Sequence, residues 1–329
     1  DAHGLEGMRN MLLAMDPPRH VAYRRPLVPS FKAKVIGAMD GQIRAICRQI
    51  MEEAREQRDV EFVHEVAAHL PTQVIGELVG LPREDWSQIQ AWAERNTSGQ
   101  DAEIVDGAEG EYGDANTNMA MYAIQLAARR RAEPPREDLL SLILAGNFGS
   151  GPMSDIEFGS FFVQLITAAN DTTKSMLSGG LLAIIEHPEQ QAELRADYRR
   201  IPDAIEEILR YANPLHYFRR TATADTELRG VQIARGDKVL MYYTSANRDE
   251  DVFDDPQRFD IHRRPNPQLS FGIGEHFCLG AHLARLEGRI FFEELFDTFS
   301  AFELGGTPRR VRSNLNNGLK ELPVRLVAA

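Results

Sequence analysis

The sequence predicts a mostly α fold with a small β portion, and three observations carry that expectation. Residues 154–186 make one long, largely apolar stretch stopped by His187-Pro188. Much of the chain before it shows helical patterns, punctuated by Pro71, Gly80-Leu81-Pro82 and Pro134-Pro135. Strand-like runs come late and are short: Phe218–Ala222, Val231–Ile233 and Lys238–Tyr243.

In chain order, residues 1–15 are a short segment containing Gly and Met. Met15-Asp16-Pro17-Pro18-Arg19-His20 then opens a helix, with Asp16 as candidate N-cap and prolines in the first turn. Residues 20–57 read as two helices broken near Pro26–Ser30. Residues 99–114 are polar and Gly-rich, as expected of a mobile connection between two helices. The stretch 154–186 would span about 50 Å as a helix. It is apolar on most faces, so it is expected to cross the middle of the fold. A further helix is expected at 202–212. The strand-like runs follow, with Arg235-Gly236-Asp237 as a turn, and residues 246–270 are irregular. An amphipathic helix begins at Ala281, and residues 309–328 read as a small hairpin around Asn316-Asn317-Gly318.

With 329 residues, 43% hydrophobic and 26% charged, the chain can bury a sizeable core. Two cysteines are too few for a disulfide framework. Cys47 continues an apolar helical pattern with Ile43, Ile46 and Ile50 and reads as core. A free Cys278 fits a reducing compartment. No apolar run reaches the roughly 20 residues of a membrane span, and no signal-peptide pattern is seen. The expectation is a soluble, cytoplasmic protein without a membrane anchor. The net charge of −12 argues against nucleic acid as a partner.

Chemistry concentrates at Phe271-Gly272-Ile273-Gly274-Glu275-His276-Phe277-Cys278-Leu279-Gly280. Gly272 and Gly274 permit tight positive-φ turns and a close approach to a flat ring. Cys278 precedes a helix, whose free N–H groups favour a thiolate. Phe271 could shield the sulfur, and Gly280 leaves space beside it. Taken alone, the loop also fits a buried structural cysteine. Within the long helix, Ala168-Ala169-Asn170-Asp171-Thr172-Thr173 places an acid and two hydroxyls where polar groups are costly. Small Ala168 and Ala169 leave room for a ligand, and Asp171 and Thr172 could pass protons there. Alternatively, the hydroxyls bond back along the helix and Asp171 meets an arginine. Glu207-Ile208-Leu209-Arg210 puts an acid and a base on one helix face, and Arg258 in Pro256-Gln257-Arg258-Phe259 could join them.

An acid–alcohol pair in a long helix, Glu-x-x-Arg, Pro-x-Arg-Phe and Phe-x-x-Gly-x-x-x-Cys-x-Gly, in that order, closely resemble the motifs of the cytochrome P-450 superfamily. The resemblance covers nearly the whole chain. It implies the cytochrome P-450 fold, a trigonal-prism helical domain around the long central helix, as a single haem-thiolate domain over residues 1–329. Members usually carry a much longer region before the Asp-Pro-Pro helix. The resemblance therefore implies an N-terminally truncated domain lacking the first strands and part of the substrate-access wall.

Residue by residue, Cys278 resembles the proximal thiolate of haem b (iron protoporphyrin IX), which favours O–O cleavage, with Phe271, Gly272 and Gly280 around it. Asp171 and Thr172 match the proton-delivery pair. Ala169 stands where glycine is common, and Ala168 and Ala169 would border the O2 groove. Glu207, Arg210 and Arg258 match a structural triad. His20 and Arg24 match the bacterial His-x-x-x-Arg for a haem propionate. Arg220 and His276 match two further propionate contacts, with Arg219 as a rival for Arg220. The pocket set is Gln164, Leu165, Ala168, Thr172, Leu215, His216, Tyr217 and Leu315.

The implied activity is O2-dependent hydroxylation of an apolar small molecule of sterol, terpenoid or branched-lipid type. No flavin or Fe–S motif is present, so electrons are expected from a ferredoxin and its reductase. Arg19, Arg24, Arg25, Lys32, Lys34, Arg285 and Arg289 offer a basic face for that partner. A peroxide-driven enzyme or a non-catalytic haem-binding fragment of the same fold are the alternatives; the acid–alcohol pair argues against the first.

Overall fold

The long apolar stretch folds as one uninterrupted helix of 32 residues, Asp155–Glu186, hereafter the central helix. In the computed structural model, residues 8–98, 101–105, 115–149 and 151–328 are described. The central helix starts with a capping box: Ser154 Oγ accepts from the Glu157 N–H, and Glu157 accepts from the Ser154 N–H. The same Glu157 carboxylate pairs with Arg19 at 3.0 Å and accepts from the Tyr23 hydroxyl. At the other end His187 caps the helix, and Pro188 opens the next one, Pro188–Ala196.

Helices His69–Val79, Trp86–Ser98, Ala115–Arg131, Ile201–Ala212 and Ala281–Thr298 pack against the central helix, as does the π-helical turn Val63–Ala67. Glycine allows two of these approaches. A Cβ on Gly159 would lie 3.2 Å from the Ala120 carbonyl. One on Gly180 would lie 2.8 Å from Ile208 and 3.1 Å from Phe292.

The segment expected as two helices over 20–57 forms three, Arg19–Arg24, Ala33–Gly37 and Asp40–Glu56, with a 3₁₀ turn at Val28–Phe31. Pro26 and Pro29 lack the N–H that a continuing helix needs. Asp16 is not the side-chain cap. The helix begins at Arg19 with Pro18 in the capping position, and Asp16 supplies its backbone carbonyl to the His20 N–H at 3.0 Å. Cys47 is fully buried, as expected. The connection expected at 99–114 falls largely outside the described residues; within it, Ala102–Val105 are helical and Asp101 is buried.

Among the described residues the β portion comprises nine short strands: β1 Asp59–Glu61, β2 Tyr217–Thr221, β3 Thr226–Leu228, β4 Val231–Ile233, β5 Lys238–Tyr242, β6 Phe299–Leu304, β7 Arg309–Arg310, β8 Leu319–Glu321 and β9 Pro323–Ala328. They form antiparallel sheets in the orders β1-β9-β6, β2-β5, β3-β4 and β7-β8. The hairpin expected over 309–328 is only half local. β7 pairs β8, but β9 crosses to the middle of the three-stranded sheet, where Val324 and Leu326 enter the core. Pro323 sits at its first position, where a missing N–H costs the ladder least. Among the described residues, no helix is long and apolar enough to cross a membrane.

Gly180→Val should overpack the junction of three helices and cost roughly 1–3 kcal/mol, read as a lowered denaturant midpoint with an unchanged m-value.

Candidate functional site

The cysteine loop takes the conformation its glycines allow. Gly272 and Gly274 have φ of 70° and 73°. The Cys278 N–H donates to the Phe271 carbonyl at 2.9 Å, and the Gly272 N–H to the Leu269 carbonyl at 2.8 Å. The lead-in is held from outside: Asn247 accepts from the Leu269 N–H at 2.8 Å and donates to Ser270, and Ser270 donates to the Leu209 carbonyl at 2.6 Å. The Arg285 guanidinium stacks 4.5 Å over the Phe271 ring. Burial pushes the Cys278 thiol up, opposed by the Gly280 N–H and by Arg24 and Arg285. A metal ion bound to the sulfur inverts that preference, because coordinating thiols are deprotonated.

Beneath the loop lies a buried charge cluster. Arg210 pairs with Glu207 through two nitrogens at 2.7 and 2.8 Å, and donates to the carbonyls of Asn247, Pro256 and Arg258, each at 2.8 Å. The second arginine on Glu207 is Arg263, at 3.2 Å, and not Arg258. Arg258 contributes only its backbone carbonyl, and its side chain is exposed. The chain turns at Asp255–Arg258 and again at Asp260–Arg263, where the Arg263 N–H donates to the Asp260 carbonyl at 3.0 Å, and the second turn brings the Arg263 side chain back onto Glu207 while Arg258 stays exposed.

Above the loop is a cavity of about 280 Å³. Cys278, Phe271, Gly272 and Gly280 form one wall; Ala168, Ala169 and Thr172 of the central helix form another. His20, Arg24, Arg220 and His276 also line it. These residues fit a flat, dianionic group with a metal at its centre. Buried His20 has no hydrogen-bond partner on either ring nitrogen, and its ring lies 4.1 Å from that of His276. Burial lowers the pKa of both histidines. Four donors of this kind around one cavity suit two carboxylates. Gly280 has an ordinary φ of −86°, and a Cβ there would touch nothing within 4 Å, so a side chain would only fill the space beside the sulfur.

The polar residues of the central helix diverge. Thr172 faces the cavity and donates to the Ala168 carbonyl at 2.7 Å. Asp171 turns away from it into an ion pair with Lys174 at 3.1 Å, so its partner is a lysine and not an arginine. Lys174 also bonds Glu94 at 2.8 Å. Burial pushes the Asp171 carboxyl up to about 6, against the pull of Lys174.

Of the expected pocket residues, Gln164, Leu165, Ala168, Thr172 and Leu215 line the cavity, and His216, Tyr217 and Leu315 do not. Side chains alternate along β2. Phe218 and Arg220 face the cavity, whereas Tyr217 packs on Tyr242 with ring centroids 5.4 Å apart. Arg220, and not Arg219, therefore lies at the cavity. His216 and Leu315 are engaged with each other through a backbone hydrogen bond of 2.8 Å. Further lining residues that the sequence does not single out include Leu12, Phe161, Phe218, Tyr243 and the buried Glu287; of these, alternation along β2 could find Phe218. The expected basic face is reduced, because Arg285 pairs with Glu206, Arg289 with Asp40 and Glu293, and Arg19 with Glu157.

The sequence matches the cytochrome P450 family profile over residues 115–325. It is 36% identical over 324 residues to a steroid C26-monooxygenase of Mycolicibacterium smegmatis, covering 98% of this chain and 74% of that protein. It is 36% identical over 318 residues to a methyl-branched lipid omega-hydroxylase of Mycobacterium tuberculosis, covering 95% and 74%. A solved cytochrome P450 of Mycobacterium marinum in complex with pseudoionone superimposes with a TM-score of 0.92 at 36% identity, covering 98% of this chain and 79% of that one.

Glu207→Ala should strand two arginines in the interior and cost roughly 3–5 kcal/mol, measured by equilibrium unfolding; Arg258→Ala should stay within about 0.5 kcal/mol of the unaltered protein, as surface changes do.

Proposed function

The chain belongs to the cytochrome P450 family, and on that premise we propose that it hydroxylates an apolar steroid, terpenoid or methyl-branched lipid with O2 and with electrons from a ferredoxin and its reductase. It is a monooxygenase, as its relatives are. The observation that carries the finer reading is the opposition of Cys278 and Thr172 across one largely apolar cavity, with cationic and imidazole groups gathered in its lining. Haem, when bound, supplies O2 activation and the insertion of one oxygen atom into a C–H bond.

The chain's own residues do the rest. Cys278 holds the iron, and His20, Arg24, Arg220 and His276 hold the two carboxylates. We take the group to be haem b, held without covalent attachment. The chain has two cysteines and Cys47 lies in the core, so no Cys-x-x-Cys-His is present to attach a haem covalently. Phe161, Leu165, Leu215 and Phe218 give the cavity an apolar wall that orients a hydrocarbon by shape and excludes water. The Gln164 side-chain oxygen is taken up by the Leu13 N–H at 3.2 Å, which leaves its amide nitrogen as a donor toward a polar end of the substrate. Thr172 holds a proton at its hydroxyl beside the small Ala168 and Ala169, and Asp171 supplies it from the buried side. For the electron donor, exposed Arg25, Lys32 and Lys34 offer cations to an acidic ferredoxin. Exposed Ile273 and Phe277 add apolar contact beside the loop that carries the sulfur.

The absorption spectrum of the reduced carbon monoxide complex tests the ligand. A strongly red-shifted Soret band is expected, and its loss in Cys278→Ser; a purified chain that takes up no haem would overturn the reading. Thr172→Ala should keep haem and substrate binding but divert electrons to hydrogen peroxide, cutting coupled turnover by roughly tenfold or more. Fully coupled turnover in that variant contradicts the role given to Thr172. Spectral titration with a panel of steroids, terpenoids and branched fatty acids identifies the class of substrate.

A further inference from the structure

Asp171 does not stand alone on the buried side of the central helix. Its Oδ1 lies 3.1 Å from Lys174 Nζ, and Lys174 Nζ lies 2.8 Å from Glu94 Oε1. Glu94 Oε1 lies 3.5 Å from His64 Nδ1. Exposure falls along this line: the side chains of His64, Glu94, Lys174 and Asp171 are 44%, 22%, 10% and 5% accessible. His64 Nε2 lies 3.0 Å from the Lys320 carbonyl, which can only accept, so Nε2 carries a proton and Nδ1 is the nitrogen free to pick one up. The line therefore begins at a half-exposed imidazole, passes through a carboxylate and an ammonium, and ends at the carboxylate one residue from Thr172.

We propose that His64, Glu94 and Lys174 form the route by which protons from solvent reach Asp171. The proposal rests on the reading of Asp171 and Thr172 as the groups that serve the cavity with protons. Water protonates His64 at Nδ1, and the imidazolium passes that proton to Glu94. Lys174 gives one of its three protons to Asp171 and takes one back from Glu94. One proton has then moved inward, and His64, Glu94 and Lys174 are restored to their starting forms. The electrostatics favour this direction. Glu94 and Asp171 flank a single ammonium, so the buried group carries one negative charge too many and accepts one proton without leaving a net charge. Burial opposes ionisation of both carboxyls. Lys174, with His64 and Arg95, overcomes it at Glu94 and holds that carboxyl down, whereas Asp171 is held up. The proton therefore settles at the inner acid and not at the outer one. Asn316, 3.5 Å from the other Asp171 oxygen, fixes the carboxyl without offering an acid of its own.

Glu94→Gln keeps the size of the side chain, and His64→Gln sits at a half-exposed position, so both are expected to fold and to load haem. Each should lose roughly tenfold in coupled turnover, release more peroxide and show a larger solvent deuterium isotope effect. The double variant Glu94→Gln/Asp171→Asn should be no slower than Asp171→Asn alone. If Asp171→Asn is slow while Glu94→Gln and His64→Gln keep normal turnover and isotope effects, the route is overturned and the role of Asp171 stands. If Asp171→Asn turns over normally, the role of Asp171 is overturned with it. A readout without turnover uses the ferric protein. Deuterium uptake at the Asp171 carboxyl, followed by difference infrared spectroscopy, should slow in both Gln variants, and uptake as fast as in the unaltered protein overturns the route.

Discussion

The proximal half of this protein is arranged around one arginine that never meets water. Arg210 has five N–H donors, and each finds an acceptor: two oxygens of Glu207 and the carbonyls of Asn247, Pro256 and Arg258. Replacing such a cluster by apolar packing is often neutral or stabilising, so net stability is not what it contributes. It contributes geometry. Three loop carbonyls from an irregular stretch are fixed on one planar group, and Asn247, whose carbonyl is among them, uses its side chain to hold Leu269 and Ser270. The backbone leading to Cys278 is thereby set with no strand and no more helix than the 3₁₀ turn Gly274–His276.

The cavity then separates two kinds of electrostatic work. On the side of the sulfur and on the helix carrying His20 and Arg24, cations and imidazoles gather, and the carboxyl that shares this lining, Glu287, is pushed up to about 8 by burial, which suits a dianion. Across the central helix, the balance is reversed: two carboxylates share one lysine. The helix is one wall seen from both sides, and adjacent residues, Asp171 and Thr172, serve the two faces because successive side chains lie about 100° apart on a 3.6-residue turn.

Much of this was legible in the sequence where the signal was local. The central helix was bounded to within one residue because an apolar stretch met a proline at one end. The cysteine loop was legible because its glycines must adopt positive φ. The errors have physical causes. The local pattern points to Tyr217 where Phe218 lines the cavity, and to Arg258 where Arg263 joins the charge cluster. The first follows from alternation along a strand; the second follows from a turn between Asp260 and Arg263 that no local pattern announces. Asp171 stands three positions before Lys174 on the same helix, but the second partner, Glu94, was not legible, because it lies 80 positions away on a helix whose pattern reports burial but not its neighbour. The late hairpin was over-read, since a local turn signal does not reveal that the following strand pairs with residues near position 60.

Glu157 has a wider consequence than its place at a helix end suggests. A single carboxylate closes the capping box, receives Arg19 and receives Tyr23, and the last two flank His20 on the helix that also carries Arg24. Substitutions at the start of the central helix and substitutions on that neighbouring helix therefore draw on one shared acceptor. Their effects should be epistatic: a change tolerated at Ser154 in one background becomes harmful in another where Arg19 has already drifted. Glu157 itself does not line the cavity, yet it ties the start of the central helix to the helix that carries two of the cavity's donors, His20 and Arg24.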